Sequence, residues 1–307
     1  MKIFRLLQKL IDKKDKIFIA GHNGMVGSSV VKLLKEKQYK NLITRSREEL
    51  NLIEKQEVDK FFKSEKPEIV IIAAAKVGGI YANKNYPLDF LQENLYILLN
   101  IISAAYKNDV KRLCFLGSSC IYPKFAKQPI SEEELLSSKL EKSNEFYAIA
   151  KISGLKMCEA YSKQYGFDCF SIMPCNLYGP KDNYHPLNSH VIPALIRKTI
   201  IAKEKSSDFI ECWGSGLPKR EFMHVNDLAK AILFLLENWK PLKKESNYIN
   251  VGSSKEISIK ELANIIVKEV GFKGDISWKR SKPDGTPLKL LDNSRINKLG
   301  WESKINL

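Results

Sequence analysis

Ile17-Phe18-Ile19-Ala20-Gly21-His22-Asn23-Gly24-Met25-Val26-Gly27 is the stretch that decides the fold. Its four apolar residues predict a short buried strand, and the run from about Val26 to Lys37 predicts a helix. Between them, three glycines recur at three-residue spacing. Glycines allow a tight turn and a close backbone approach to a pyrophosphate, while a helix start offers free N–H donors. The loop from Gly21 through His22, Asn23, Gly24, Met25 and Val26 to Gly27 is therefore a candidate dinucleotide site. A tight turn that holds nothing is the alternative.

Outward from this loop, strands alternate with helices. Strands are predicted over 41–44, 68–73, 113–117, 168–172 and 248–251. Helices are predicted over 54–64, 90–107, 144–165, 191–203, 225–239 and 258–270, the last with Ser258 as its N-cap. This alternation calls for an α/β fold with a doubly wound parallel sheet and right-handed crossovers. The texture changes after Pro180, where polar loops and a turn at Trp213-Gly214-Ser215-Gly216 interrupt the pattern. We expect a cofactor domain over 16–180 and 221–252, and a smaller α/β substrate lobe over 181–220 and 253–307. Residues 1–15 form an N-terminal extension in which Phe4, Leu7, Leu10 and Ile11 share one helical face.

Composition narrows the function classes. The 307 residues carry 50 Lys and Arg against 35 Asp and Glu, a net charge of +15. The basic residues are spread along the chain, with no nucleic-acid-binding motif, so a solvated surface is expected and nucleic acid is not. A diphosphate-bearing substrate would profit from the same field. No apolar run approaches a membrane span. The cysteines Cys114, Cys120, Cys158, Cys169, Cys175 and Cys212 form no Cys-x-x-Cys pair, which suits free thiols in a reducing cytoplasm. The histidines His22, His185 and His224 have no arrangement that suggests a metal site.

Chemistry enters at Tyr147-Ala-Ile-Ala-Lys151 and Gly117-Ser118-Ser119-Cys120. On a helix, residues four apart share a face, so the phenol and ammonium can meet. A nearby cation favours phenolate and brings the Tyr147 proton into range for acid–base work. Ser118 follows a predicted strand, and ligands bind beyond the carboxyl ends of such strands. Ser118, Tyr147 and Lys151 thus form a candidate reaction centre, although Tyr and Lys at this spacing also occur on ordinary helices. Cys120 is the one thiol placed for chemistry. After the second strand, where an NAD site would carry an acid, stands Arg45-Ser46-Arg47. Guanidinium groups suit a 2′-phosphate, which favours NADP, with Arg47 as the main contact.

The chain resembles the GDP-L-fucose synthases, epimerase/reductases of GDP-4-keto-6-deoxymannose within the extended short-chain dehydrogenases/reductases. The resembling segments are Gly-His-Asn-Gly-Met-Val-Gly at 21–27, Ala-Ala-Ala-Lys-Val-Gly-Gly-Ile at 73–80 and Gly-Ser-Ser-Cys-Ile-Tyr-Pro at 117–123. They continue with Tyr-Ala-Ile-Ala-Lys at 147–151, Asn-Leu-Tyr-Gly-Pro at 176–180, Asn-Ser-His-Val-Ile-Pro at 188–193 and Arg-Glu-Phe-Met-His-Val at 220–225. The resemblance implies NADPH as cofactor and a nucleotide sugar as substrate. It implies Cys120 as base and His190 as acid in inverting C3 and C5, with Tyr147 as proton donor in the C4 reduction. It further implies cofactor contacts at Leu116, Gly117, Ser118, Ser119, Lys151, Pro174, Cys175, Asn176, Leu177 and His190. Lys198 and Arg220 are expected near the diphosphate, Trp213 near guanine and Asp284 near a sugar or ribose hydroxyl. On residues alone, Trp213 reads equally well as core. The helices around 90–107 and 144–165 resemble the family's dimer helices, so a homodimer is expected. Asn23 stands where relatives carry Arg, which leaves the 2′-phosphate to Arg47 and Arg45. The family's chains usually run past Gly300-Trp301 into another helix.

Competing expectations stay within reach. Another nucleotide-sugar 4-epimerase or reductase shares the glycine and Tyr-Lys motifs. A dehydratase would place acidic residues where Cys120-Ile121 stands. A non-catalytic dinucleotide sensor would usually lack Tyr147 or Lys151.

Overall fold

The computed structural model describes residues 9–241, 245–282 and 284–307. Its centre is a parallel sheet of six strands in the order β2-β1-β3-β4-β5-β9. These strands are β1 (Ile17–Ala20), β2 (Leu42–Ile43), β3 (Ile69–Ile72), β4 (Arg112–Leu116), β5 (Cys169–Pro174) and β9 (Tyr248–Val251). Every residue of β1, β3, β4 and β5 is buried, because helices cover both faces of the sheet. One layer of crossovers contains α1 (Met25–Glu36) packed on α7 (Val225–Asn238), and another contains α2 (Lys55–Glu65), α4 (Pro87–Lys107) and α5 (Glu145–Tyr165). A short helix the sequence reading did not separate, α3 (Ile80–Asn85), precedes α4.

The chain leaves β1 toward β2 on one side and returns to β3 on the other. That reversal opens a crevice at the carboxyl ends of β1 and β3, where doubly wound sheets bind ligands. The glycine loop follows β1 and the 73–79 strip follows β3, so both line this edge.

The second lobe adds strands that the sequence reading did not assign. Strand β8 (Lys219–His224) pairs with β6 (Asn176–Tyr178), β10 (Glu256–Ser258) and β12 (Leu288–Lys289), and β7 (Phe209–Trp213) pairs in parallel with β11 (Asp275–Lys279). With α6 (Val191–Glu204) and α8 (Ile259–Val270) they enclose a separate core that includes Leu195, Ile210, Phe222, Leu262, Ile266 and Phe272. Alternating exposure along β7 shows why its pattern was weak: only one face meets that core. Ser258 caps α8 as expected, in a reciprocal capping box with Glu261.

The closing segment returns to the larger core, where Leu291, Ile296 on α9 (Ser294–Lys298) and Trp301 are buried. Glu221 stitches this return. Its wholly buried carboxylate accepts from the backbone N–H groups of Ser254 at 2.7 Å and Leu291 at 3.0 Å. Of the N-terminal extension, Phe4 and Leu7 lie outside the described residues. Residues 9–15 run as bends and turns rather than helix. Ile11 is buried, and the Leu10 N–H donates to the Glu237 carbonyl at 2.9 Å.

Candidate active site

At the end of β4 the chain turns sharply. The Gly117 N–H donates to the Ile172 carbonyl at 2.8 Å, Ser118 is extended, and Ser119–Ile121 make one 3₁₀ turn. The Ser118 Oγ accepts from the Cys120 N–H at 3.2 Å, which fixes the hydroxyl and thiol on one short arc. Helix α5 brings Tyr147 and Lys151 against this arc. The Lys151 Nζ, almost fully buried, donates to the Leu116 carbonyl at 2.7 Å. It also lies 4.9 Å from the Phe115 ring centroid and 5.7 Å from that of Tyr147.

Burial dominates the electrostatics. It pushes the Tyr147 phenol well above the usual tyrosine range. Negative charge at Cys120 adds to the shift, and Ser118, within hydrogen-bonding reach, opposes it. Burial also draws the Lys151 ammonium down to about 7, against a smaller opposite pull from Cys120. The lowered phenol pKa expected from the Lys151 neighbour is thus not found in the free protein, where burial raises it. A phenol that keeps its proton is an acid in waiting, which suits donation to a developing alkoxide.

Cys120 is half-buried and meets a partner that the sequence reading missed. The Lys289 Nζ lies 3.8 Å from its Sγ. Lys289 sits on β12, in register with Arg220 on β8, so the second lobe delivers this cation to the thiol. The two residues are 169 positions apart, and no spacing rule connects them. His190 is the N-cap residue of α6. The residue as a whole is exposed to solvent. Desolvation lowers its pKa below the ordinary imidazole range, and Asp182 pulls the other way.

The glycine loop is built for close approach. A Cβ on Gly27 would lie 2.1 Å from the Gly21 carbonyl oxygen, and Gly21 itself has φ +85°. No side chain caps the start of α1 and no acid occupies its first turn, so its N–H groups stay available to an anion. The Nδ1 of His22 is buried without a partner. Asn23 is exposed. After β2, Arg45 is held by Glu65 at 2.5 Å, while Arg47 extends into solvent, 3.8 Å from Glu93. Pro174 and Cys175 are buried at the end of β5. Asn176 donates to the Glu221 carbonyl at 2.9 Å, and Leu177 is half-buried beside it.

On the second lobe, Trp213 is 60 % exposed, which removes the core reading. Its ring lies 5.7 Å from the Lys198 Nζ and 5.1 Å from the Lys282 Nζ. Arg220 donates to the Thr286 carbonyl at 2.5 Å. Asp284 accepts from the Ser215 N–H at 2.8 Å and its hydroxyl at 2.7 Å, so here it closes the turn at Gly214. Among the described residues, no His, Cys, Asp or Glu cluster could hold a metal, and no helix is long and apolar enough to cross a membrane.

A model of the NAD dependent epimerase/dehydratase family matches residues 17–252. The chain is 52% identical to GDP-L-fucose synthase 1 of Arabidopsis thaliana, over 98% of this chain and 92% of that protein. It is equally 52% identical to the GDP-L-fucose synthase of Escherichia coli (strain K12), over 96% and 93%. Among solved structures, a GDP-mannoheptose C4 reductase from Campylobacter jejuni with NADP bound aligns with TM-score 0.89 at 38% identity, covering 97% of this chain and 96% of that one.

Proposed function

Because the chain belongs to the GDP-L-fucose synthases of the NAD dependent epimerase/dehydratase family, we propose that it converts GDP-4-dehydro-6-deoxy-D-mannose to GDP-L-fucose, using NADPH. The reaction inverts C3 and C5 and then reduces the C4 ketone. The observation that carries this reading is Cys120, a half-buried thiol on the same arc as Ser118, with the Lys289 Nζ 3.8 Å from its Sγ. A thiol beside the reductase pair serves proton movement next to a ketone, which plain reduction does not need.

The residues present fit the cofactor. The uncapped start of α1, the tight Gly21–Gly27 approach and the unpartnered His22 Nδ1 suit a dinucleotide diphosphate, and the exposed Arg47, held only at 3.8 Å by Glu93, can meet a 2′-phosphate. When bound, NADPH supplies the hydride equivalent for C4. The rest falls to the chain. The Cys120 sulfur takes the protons at C3 and C5, with the Lys289 ammonium beside its charge. Ser118 hydrogen-bonds the ketone oxygen while it bears enolate charge. His190 returns a proton to each of these carbons in turn, and Tyr147 protonates the oxygen at C4. Lys198, Arg220, Trp213 and Asp284 take the nucleotide end. We assign the cofactor lobe to 16–180 and 221–252 and the substrate lobe to 181–220 and 253–307, with Leu291, Ile296 and Trp301 returning to the larger core.

Incubation with NADPH and the 4-keto sugar should consume NADPH and yield GDP-L-fucose by NMR. A product reduced at C4 with C3 and C5 unchanged would instead make the chain a simple C4 reductase.

The same reading includes a homodimer. Helices α4 and α5 pack tightly enough that a Cβ on Gly154 would lie 2.7 Å from Leu98 Cδ1. Their outer faces leave Tyr96, Leu99, Phe146 and Ile149 exposed. A second copy would cover these residues. Sedimentation at micromolar concentration should give the dimer mass, and a monomer there would end this proposal.

A further inference from the structure

The strip that follows β3 makes backbone contacts with the turn that precedes His190. Its Gly79 N–H donates to the Asn188 carbonyl at 2.9 Å. A Cβ on Gly79 would stand 2.6 Å from the Ser189 carbonyl oxygen. These are the two residues directly before His190. Gly79 has φ −68° and ψ −176°, a conformation open to any L residue. Its lack of a side chain therefore answers to the contact and not to the backbone.

Both ends of the strip are fixed. Asn94, buried, accepts from the Lys76 N–H at 2.9 Å and donates to its carbonyl at 3.0 Å. Asn83, also buried, donates to the carbonyls of Gly78 at 2.8 Å and Gly79 at 3.1 Å. Gly78 is as tightly placed, since a Cβ there would lie 2.9 Å from that of Ala82 and 3.1 Å from the Phe90 ring. The Phe90 ring in turn stands edge-on to Tyr147, centroids 6.3 Å apart. One rigid strip thus touches the wall behind Tyr147 and the turn that carries His190. His190 itself has no side-chain bond capping α6.

We propose that Gly79 is a positioning residue for His190: its bare Cα seats the Asn188–Ser189 turn, and so sets where the imidazole stands over the sugar. The catalytic consequence rests on His190 being the acid, as argued above. Adding a methyl group at position 79 must move a backbone oxygen, and a displacement near 1 Å of a reacting group costs about 100-fold in rate.

The test compares Gly79→Ala, His190→Asn and wild type. The ring resonances of the four histidines are read by NMR in the free protein, and solvent-deuterium exchange at C3 and C5 is followed separately. The expected result is that Gly79→Ala shifts His190 and leaves His22 and His224 in place. Exchange at C3 and C5 should slow about 100-fold, in the same proportion at each carbon as in His190→Asn, with C4 reduction less affected. Asn83→Ala, which adds no atoms and frees the two carbonyls, should give the same pattern more weakly, and it stands in if Gly79→Ala does not fold. Unmoved His190 resonances in both variants, or C4 reduction slowed as much as the exchange, would overturn the proposal. If His190 moves while His190→Asn leaves both exchanges unchanged, the seat stands and the acid assignment falls.

Discussion

Cys120→Ser is expected to slow solvent-deuterium exchange at C3 and C5 of the 4-keto sugar by about a thousandfold, within the span of a lost acid–base group. The change is nearly isosteric, and Cys120 is only half-buried, so the fold and NADPH binding should persist. Its N–H bond to the Ser118 Oγ does not involve the side chain and survives. What disappears is a thiol, a far stronger acid than the hydroxyl that replaces it. A serine hydroxyl ionises far less readily, so it makes a poor base even with the Lys289 Nζ beside it. Ketone reduction should continue on the uninverted sugar, because Tyr147 and Lys151 are untouched. The resulting sugar would be reduced at C4 with its C3 and C5 configurations unchanged. Exchange at the wild-type rate in the variant would remove Cys120 from the role of base.

How far the chain could be read in advance depended on where each signal is stored. The runs Ile17–Ala20, Ile69–Ile72 and Leu113–Leu116 announce strands buried on both faces, and the sheet follows from their alternation with helices. The second lobe was harder. Phe209–Trp213 and Asp275–Lys279 alternate in burial against a small core, and Leu288–Lys289 is two residues long. Such strands exist because partners far along the chain complete them. The site divides in the same way. Tyr147 and Lys151 share one helix turn, and the glycines share one loop, so spacing reveals them. Lys289 reaches Cys120 only through the pairing of β12 with β8, and Gly79 reaches His190 only through the folded loop. The acidity of Tyr147 was also misjudged, because burial is a property of the packed site and overrides the nearby cation.

Tyr147→Phe is expected to give the opposite phenotype, with reduction at C4 lowered by about a thousandfold or more and exchange at C3 and C5 retained. The substitution removes one hydroxyl and keeps the ring that packs edge-on against Phe90, so the site should keep its shape. Reduction places negative charge on the C4 oxygen, and a proton must reach it in the same step. Burial holds the Tyr147 proton in place in the free protein, and phenylalanine has none to give. Once the proton is given, the phenolate left behind needs a cation, and Lys151 is the group available. Its pKa, lowered by burial to about 7, sets the direction of the pH dependence. Below that value the ammonium is present; as pH rises through it, the cation is lost and phenolate formation becomes harder. Single-turnover reduction by the wild type should therefore decline as pH climbs past neutrality, toward the slow rate of Tyr147→Phe. The variant's residual rate should not follow that decline, since it forms no phenolate for Lys151 to support. A Tyr147→Phe protein that reduced the ketone at the wild-type rate would mean that another group, or water, delivers the proton.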